Sequence, residues 1–164
     1  MFEYEDIKEN HDFVLRQLQE NGIIVINNFF SAHDCQNSIS EIEKGLLKYE
    51  NLCQNNSKEG LSGDQRLFKF ENYSKEALKF KNNEFINAIA KSYLKYKCLN
   101  EFVLAGKVSH VVGKSINSGG DWHRDSDKKQ FKSILYLDDV TIFNGPFSFV
   151  LNSKKFDLPR RKAE

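Results

Sequence analysis

With 164 residues and a formal net charge of +1, the chain suits one domain with one core and carries no overall field to attract nucleic acid or an anionic membrane. Fourteen Phe and six Tyr in a 40% hydrophobic composition exclude disorder, which requires a chain poor in such residues. Three cysteines, Cys35, Cys53 and Cys98, share no close spacing, so neither a disulfide framework nor a zinc knuckle is indicated and reduced thiols are expected.

The start, Met1-Phe2-Glu3-Tyr4-Glu5-Asp6, is acidic and lacks the basic end and apolar run of a secretion signal, and no apolar stretch is long enough to span a bilayer. A cytoplasmic protein is expected. Over 6–21 the residues Ile7, Val14, Leu15 and Leu18 recur at helical spacing, with Asn21-Gly22 as the stop. The β-branched run Ile23-Ile24-Val25-Ile26 predicts a strand covered on both faces. Ser31 followed by Asp34 starts a second helix, whose inner face carries Cys35, Ile39, Ile42 and Leu46. From 50 to 65, Asn, Gln, Ser, Lys and Gly dominate, and a surface loop is predicted.

Alternation over 66–70 predicts a half-buried strand with Leu67 opposite Phe68 and Phe70. Helices are predicted over 74–80 and 83–94, the second with Phe85, Ile86, Ile89, Ala90 and Tyr93 as its core stripe. After Asn100 the texture turns to β, with strands predicted over 102–112, 130–137 and 147–151. The whole chain, 1–164, thus reads as a single α+β domain: a helical part over 1–100, a β core over 101–153 and a tail over 154–164.

The chemistry is concentrated in Gly119-Gly120-Asp121-Trp122-His123-Arg124-Asp125-Ser126. Imidazole and carboxylate one residue apart can turn to the same side of a strand and hold one metal ion. Two other readings exist for His123-Arg124-Asp125. A protein-kinase catalytic loop has the same three letters, but Gln130 stands where magnesium needs an Asn, and neither a glycine-rich phosphate loop nor Asp-Phe-Gly is present. The plainer reading is a polar turn whose side chains hydrogen-bond to backbone.

Three blocks decide for the metal. The segment from Gly119 to Ser126, then Gln130-Phe131-Lys132-Ser133-Ile134-Leu135-Tyr136-Leu137-Asp138-Asp139-Val140, then Asn144-Gly145-Pro146-Phe147, resembles in order and spacing the phytanoyl-CoA dioxygenase-like branch of the Fe(II)/2-oxoglutarate-dependent oxygenases. The likeness is strongest over 119–153. It reaches back to Gly22-Ile23-Ile24-Val25-Ile26-Asn27-Asn28-Phe29-Phe30-Ser31, which is similar to that family's opening strand and helix cap. The resemblance implies helices packed on a double-stranded β-helix, or jelly roll, with His123 and Asp125 holding iron at its open end. It implies 2-oxoglutarate as cosubstrate and hydroxylation of a small-molecule substrate, with succinate and carbon dioxide released. No catalytic residue beyond the metal ligands is expected.

Lys132, a cation among Phe131, Ile134 and Leu135, is expensive to bury unless it meets an anion. The distal carboxylate of 2-oxoglutarate is the anion the resemblance supplies, against a plain surface lysine. Trp122 is either a wall of the site or a packed indole, and Arg124 a structural ion-pair partner.

The family's second iron histidine and its 2-oxoglutarate arginine lie well beyond the Gly-Pro block, whereas no histidine follows Pro146 here, and Asn152-Ser153-Lys154 stands where relatives carry Gly-Ser-His. His110 shares strand parity with Phe102, Leu104, Val108 and Val112, an inward parity that makes it either a core histidine or a replacement ligand. His11 and His33 lie in helices and are weaker candidates. Only about five strands are predicted where a jelly roll needs about eight, so the chain is expected to stop inside its barrel, with activity of the chain alone in doubt. The alternative is a truncated, inactive jelly roll acting as a ligand-binding or assembly module, self-associating through 147–151 as an open edge.

Overall fold

The computed structural model describes residues 1–49, 53–55, 63–95, 101–109, 123, 125, 129–151 and 153. The chain opens with β1 (Phe2–Glu3), α1 (Tyr4–Ile7), α2 (His11–Asn21), β2 (Ile26–Asn27) and α3 (Ala32–Lys48). It continues with β3 (Cys53–Asn55), β4 (Gly63–Phe68), a short 3-10 turn (Phe70–Asn72), α4 (Lys75–Lys81), α5 (Glu84–Leu94) and β5 (Leu104–Ser109). Helix and sheet are mixed, as an α+β chain requires. Among the described residues the strands form a parallel pair, β1 with β2, and an antiparallel sheet in the order β3-β4-β5. No jelly roll is formed among the described residues.

Capping side chains set the helix starts. The Asn10 side chain accepts from Phe13 N–H at 3.1 Å, so the helical pattern predicted over 6–21 is two helices with a break where Asn10 caps the second. Gly22, at φ 82°, ends α2 as the sequence suggested. Ser31 and Asp34 form the expected box: Asp34 N–H donates to Ser31 Oγ at 3.1 Å, and Ser31 Oγ donates back to Asp34 Oδ2 at 2.9 Å. Ser74 and Asn83 cap α4 and α5, their side chains accepting from Ala77 N–H and Ile86 N–H.

Among the described residues two clusters form the interior. Phe85 and Ile89 of α5 meet Ile7 and Val14, and this confirms the predicted α5 stripe as core. Leu46 of α3 packs with Leu67, Phe70, Ala77 and Ala105 over the three-stranded sheet.

The strand and loop expectations are corrected at several places. The run 23–26 is not a strand covered on both faces: only Ile26–Asn27 joins a ladder, and Val25 is half exposed. Its partner β1 is two residues long because α1 starts at Tyr4. The loop predicted over 50–65 contains β3 and the start of β4, paired with Cys53 opposite Leu67 and Asn55 opposite Gln65. Cross-strand pairing overrode the low strand propensity of Asn55, Gly63 and Asp64.

In β4, Leu67 points in and Phe68 out, but Phe70 shares the core with Leu67, because Lys69 at φ 55° reverses the chain and breaks the period of two. In β5 the parity is the reverse of that predicted. Ala105 is buried against Leu67, its ladder partner, while Leu104 and Val108 face outward. A small residue is the one that fits beneath the Leu67–Phe70 layer. Finally, 130–137 and 147–151 run without a ladder among the described residues; Phe147 N–H is bonded instead to the Tyr136 hydroxyl at 2.9 Å.

Candidate metal centre

Between Asp125 and Lys132 the chain is attached to α5. Lys129 Nζ donates to Tyr93 O at 2.5 Å and sits 4.1 Å from the centroid of the Tyr93 ring. This gives a cation to a carbonyl in the last turn of α5, where carbonyls lack helical partners and the dipole is negative. Phe131 packs against the Val14 and Ile89 cluster, its ring 6.1 Å from that of Tyr93. Neither attachment was foreseen from sequence. Tyr93 had the spacing of a core residue, and no local pattern links it to a lysine so far along the chain.

Three residues singled out from sequence come together here. His123 Nε2 lies 3.4 Å from Asp125 Oδ1, and Lys132 Nζ donates to Asp125 Oδ2 at 2.5 Å. The carboxylate is thus divided, one oxygen toward the imidazole and the other toward the ammonium. The Lys132 hydrogen bond holds the Asp125 carboxyl below its ordinary range, against the partial burial that would raise it, and the nearby Lys132 and His123 add to the lowering. Lys132 is 56% exposed and lies outside the described strands, which fits the surface-lysine alternative, with Asp125 as its anion.

The pair suits a divalent cation. Two donors each about 2.1 Å from one ion, and about 90–110° apart at it, lie about 3.0–3.4 Å from each other. Imidazole nitrogen and carboxylate oxygen at 3.4 Å meet that requirement. Among the described residues no third His, Cys, Asp or Glu joins them. Trp122, Arg124 and His110 lie outside the described residues. His11 packs edge-on to Phe85 at 5.4 Å, and His33 Nε2 lies 3.1 Å from Asn37 Nδ2.

Among the described residues, no helix is long and apolar enough to cross a membrane. Comparison with protein-family models, with curated proteins and with solved structures finds no match for this chain.

Proposed function

We propose that this chain is an Fe(II)/2-oxoglutarate-dependent oxygenase of the phytanoyl-CoA dioxygenase-like type, acting in the cytoplasm on a small molecule, its β residues part of a jelly roll. The observation that carries this reading is the 3.4 Å approach of His123 Nε2 to Asp125 Oδ1. An imidazole and a carboxylate one residue apart supply two corners of a facial triad. Iron held there with 2-oxoglutarate and dioxygen supplies the oxidation of an unactivated C–H bond, with succinate and carbon dioxide as coproducts. His123 and Asp125 hold the metal, and Lys132, whose donors remain partly open, binds the far carboxylate of the cosubstrate. Lys129 and Phe131 keep this segment against α5.

Anaerobic titration of the folded chain with iron(II) and 2-oxoglutarate is expected to give the weak visible charge-transfer band of a chelated centre. His123→Ala should remove the band. A folded sample with no band rules out metal-dependent catalysis by this chain.

A second reading has its own observation. Ile142 and Phe143 are 81% and 91% exposed, and Phe147, Val150 and Leu151 are at least half exposed. So much apolar surface in one segment fits an assembly module that binds a second copy of itself.

A further inference from the structure

The turn from Thr141 to Asn144 breaks the residue rule for its own geometry. Asn144 N–H closes it by donating to Thr141 O at 3.2 Å, so Ile142 and Phe143 hold the two central positions, where Gly, Pro, Asn or Asp is the usual choice. Both side chains are almost wholly exposed. Asn144 fixes the turn beneath them: its side chain accepts from Thr141 N–H at 2.5 Å and donates to Asp139 O at 2.9 Å. Two large apolar side chains on a bonded turn make a preformed knob, which a partner can bury with little further ordering.

An apolar face of the same chain is open as well. In the ladder Phe68 stands opposite Leu104, and Val108 lies on the same side of β5, away from Leu67 and Ala105. Phe68, Leu104 and Val108, together with Phe102, whose ring lies 6.0 Å from that of Phe68, are each 42–59% exposed. Between Leu104 and Val108 stands Gly106, where an added Cβ would meet only Gln65 O, at 3.8 Å. The missing side chain leaves a notch in the face.

Charge separates the occupants. Asp138 and Asp139 are the only charged residues over 133–151 and lie beside the knob, which disfavours an anionic membrane. Lys69, exposed, follows Phe68 at the edge of the open face. None of these three forms an ion pair among the described residues. Resting on the assembly reading, we propose that the Ile142–Phe143 knob of one copy docks on the Phe68–Leu104–Val108 face of a second copy, with Asp138 and Asp139 toward Lys69. The contact joins two different surfaces. Two copies close on each other if each receives the other's knob, and an open chain grows if they do not.

Sedimentation equilibrium tests the contact with two variants, one lacking the knob (Ile142→Asp with Phe143→Asp) and one lacking the face (Leu104→Thr with Val108→Thr). The β-branched replacements suit a strand, and circular dichroism checks both folds. The unaltered chain should associate, and each variant alone should do so at least about tenfold more weakly. An equimolar mixture of the two variants should recover association, since one brings an intact face and the other an intact knob. If the unaltered chain associates and the face variant does so equally well, or the mixture stays monomeric, the knob-to-face contact is overturned and assembly through another surface stands. An unaltered chain that is monomeric at every concentration removes assembly and the contact with it. Binding of that monomer to phosphatidylcholine vesicles, lost in the knob variant, would assign the knob to a lipid surface instead.

Discussion

Glu71 shows how a single carboxylate can join three parts of this molecule. From the 3-10 turn it accepts from Lys81 Nζ of α4 at 2.8 Å and from Val103 N–H, just before β5, at 2.9 Å. Burial by itself would raise its pKa, yet the Lys81 hydrogen bond and the Val103 N–H together hold it below the ordinary range. A carboxylate with a lowered folded pKa stabilises fully above its unfolded value, about 4.3, and that contribution is lost as pH falls through the lower folded value. Glu71→Gln should therefore cost about 1–3 kcal/mol at neutral pH, since Lys81 loses its charged partner. In urea titrations the gap between the variant and the unaltered chain should narrow as pH falls below about 4. A gap of the same size at both pH values would show that the ionised carboxylate is not its source. His123, Asp125 and Lys132 were legible at this scale because their chemistry is local and short in sequence. Glu71 was not, because nothing in its neighbourhood of the sequence points to Val103.

At the scale of elements, α3 depends on Gly45 as a place of close approach. A Cβ built there would lie 2.7 Å from Phe70 Cε2 and 3.0 Å from Leu67 Cδ1. Alanine is the better helix former by about 1 kcal/mol, but here the ring of Phe70 and the β4 side chain would have to shift. Gly45→Ala should give a net loss of about 1–2 kcal/mol, measured as a lower urea midpoint with an unchanged slope. Stabilisation instead would mean that the Phe70 layer can move aside freely. The helices α3, α4 and α5 were readable in advance because Ser31, Ser74 and Asn83 are N-caps and their apolar residues keep a period of 3.6. The strands were misread where a backbone reversal or a ladder partner decided the outcome. Lys69 put Phe70 on the side of Leu67, and the pairing of β5 with β4 placed Ala105 rather than Leu104 inside.

For the molecule as a whole, the open question is what the exposed apolar residues of 134–151 do. Ile134, Ile142, Phe143, Phe147, Val150 and Leu151 are each at least half exposed, and the expectation that 147–151 is a sheet edge gives way to a segment without ladder bonds among the described residues. If the assembly reading holds, the weight-average mass from light scattering should rise with concentration. Replacing Ile142 and Phe143 together by Asp should then return the chain to a monomer with its circular dichroism unchanged. A monomer at every concentration would set aside self-association and leave the proposed iron site as the remaining reading of the segment. The segment is not loose throughout: Phe131 enters the helical core and Lys129 holds the end of α5.

The sequence alone made α3, α4, α5, the Ser31–Asp34 cap and the α+β mixture legible and singled out His123, Asp125 and Lys132 as candidates, since each of these rests on spacing or on side-chain chemistry within a few residues. Tertiary structure decided which face of β5 is buried, that β3 and β4 form a hairpin where a loop was expected, and that Lys132 pairs with Asp125. Strand partners and ion pairs join residues far apart or free to choose among several partners. Which of these contacts forms is settled by the packing of the whole chain.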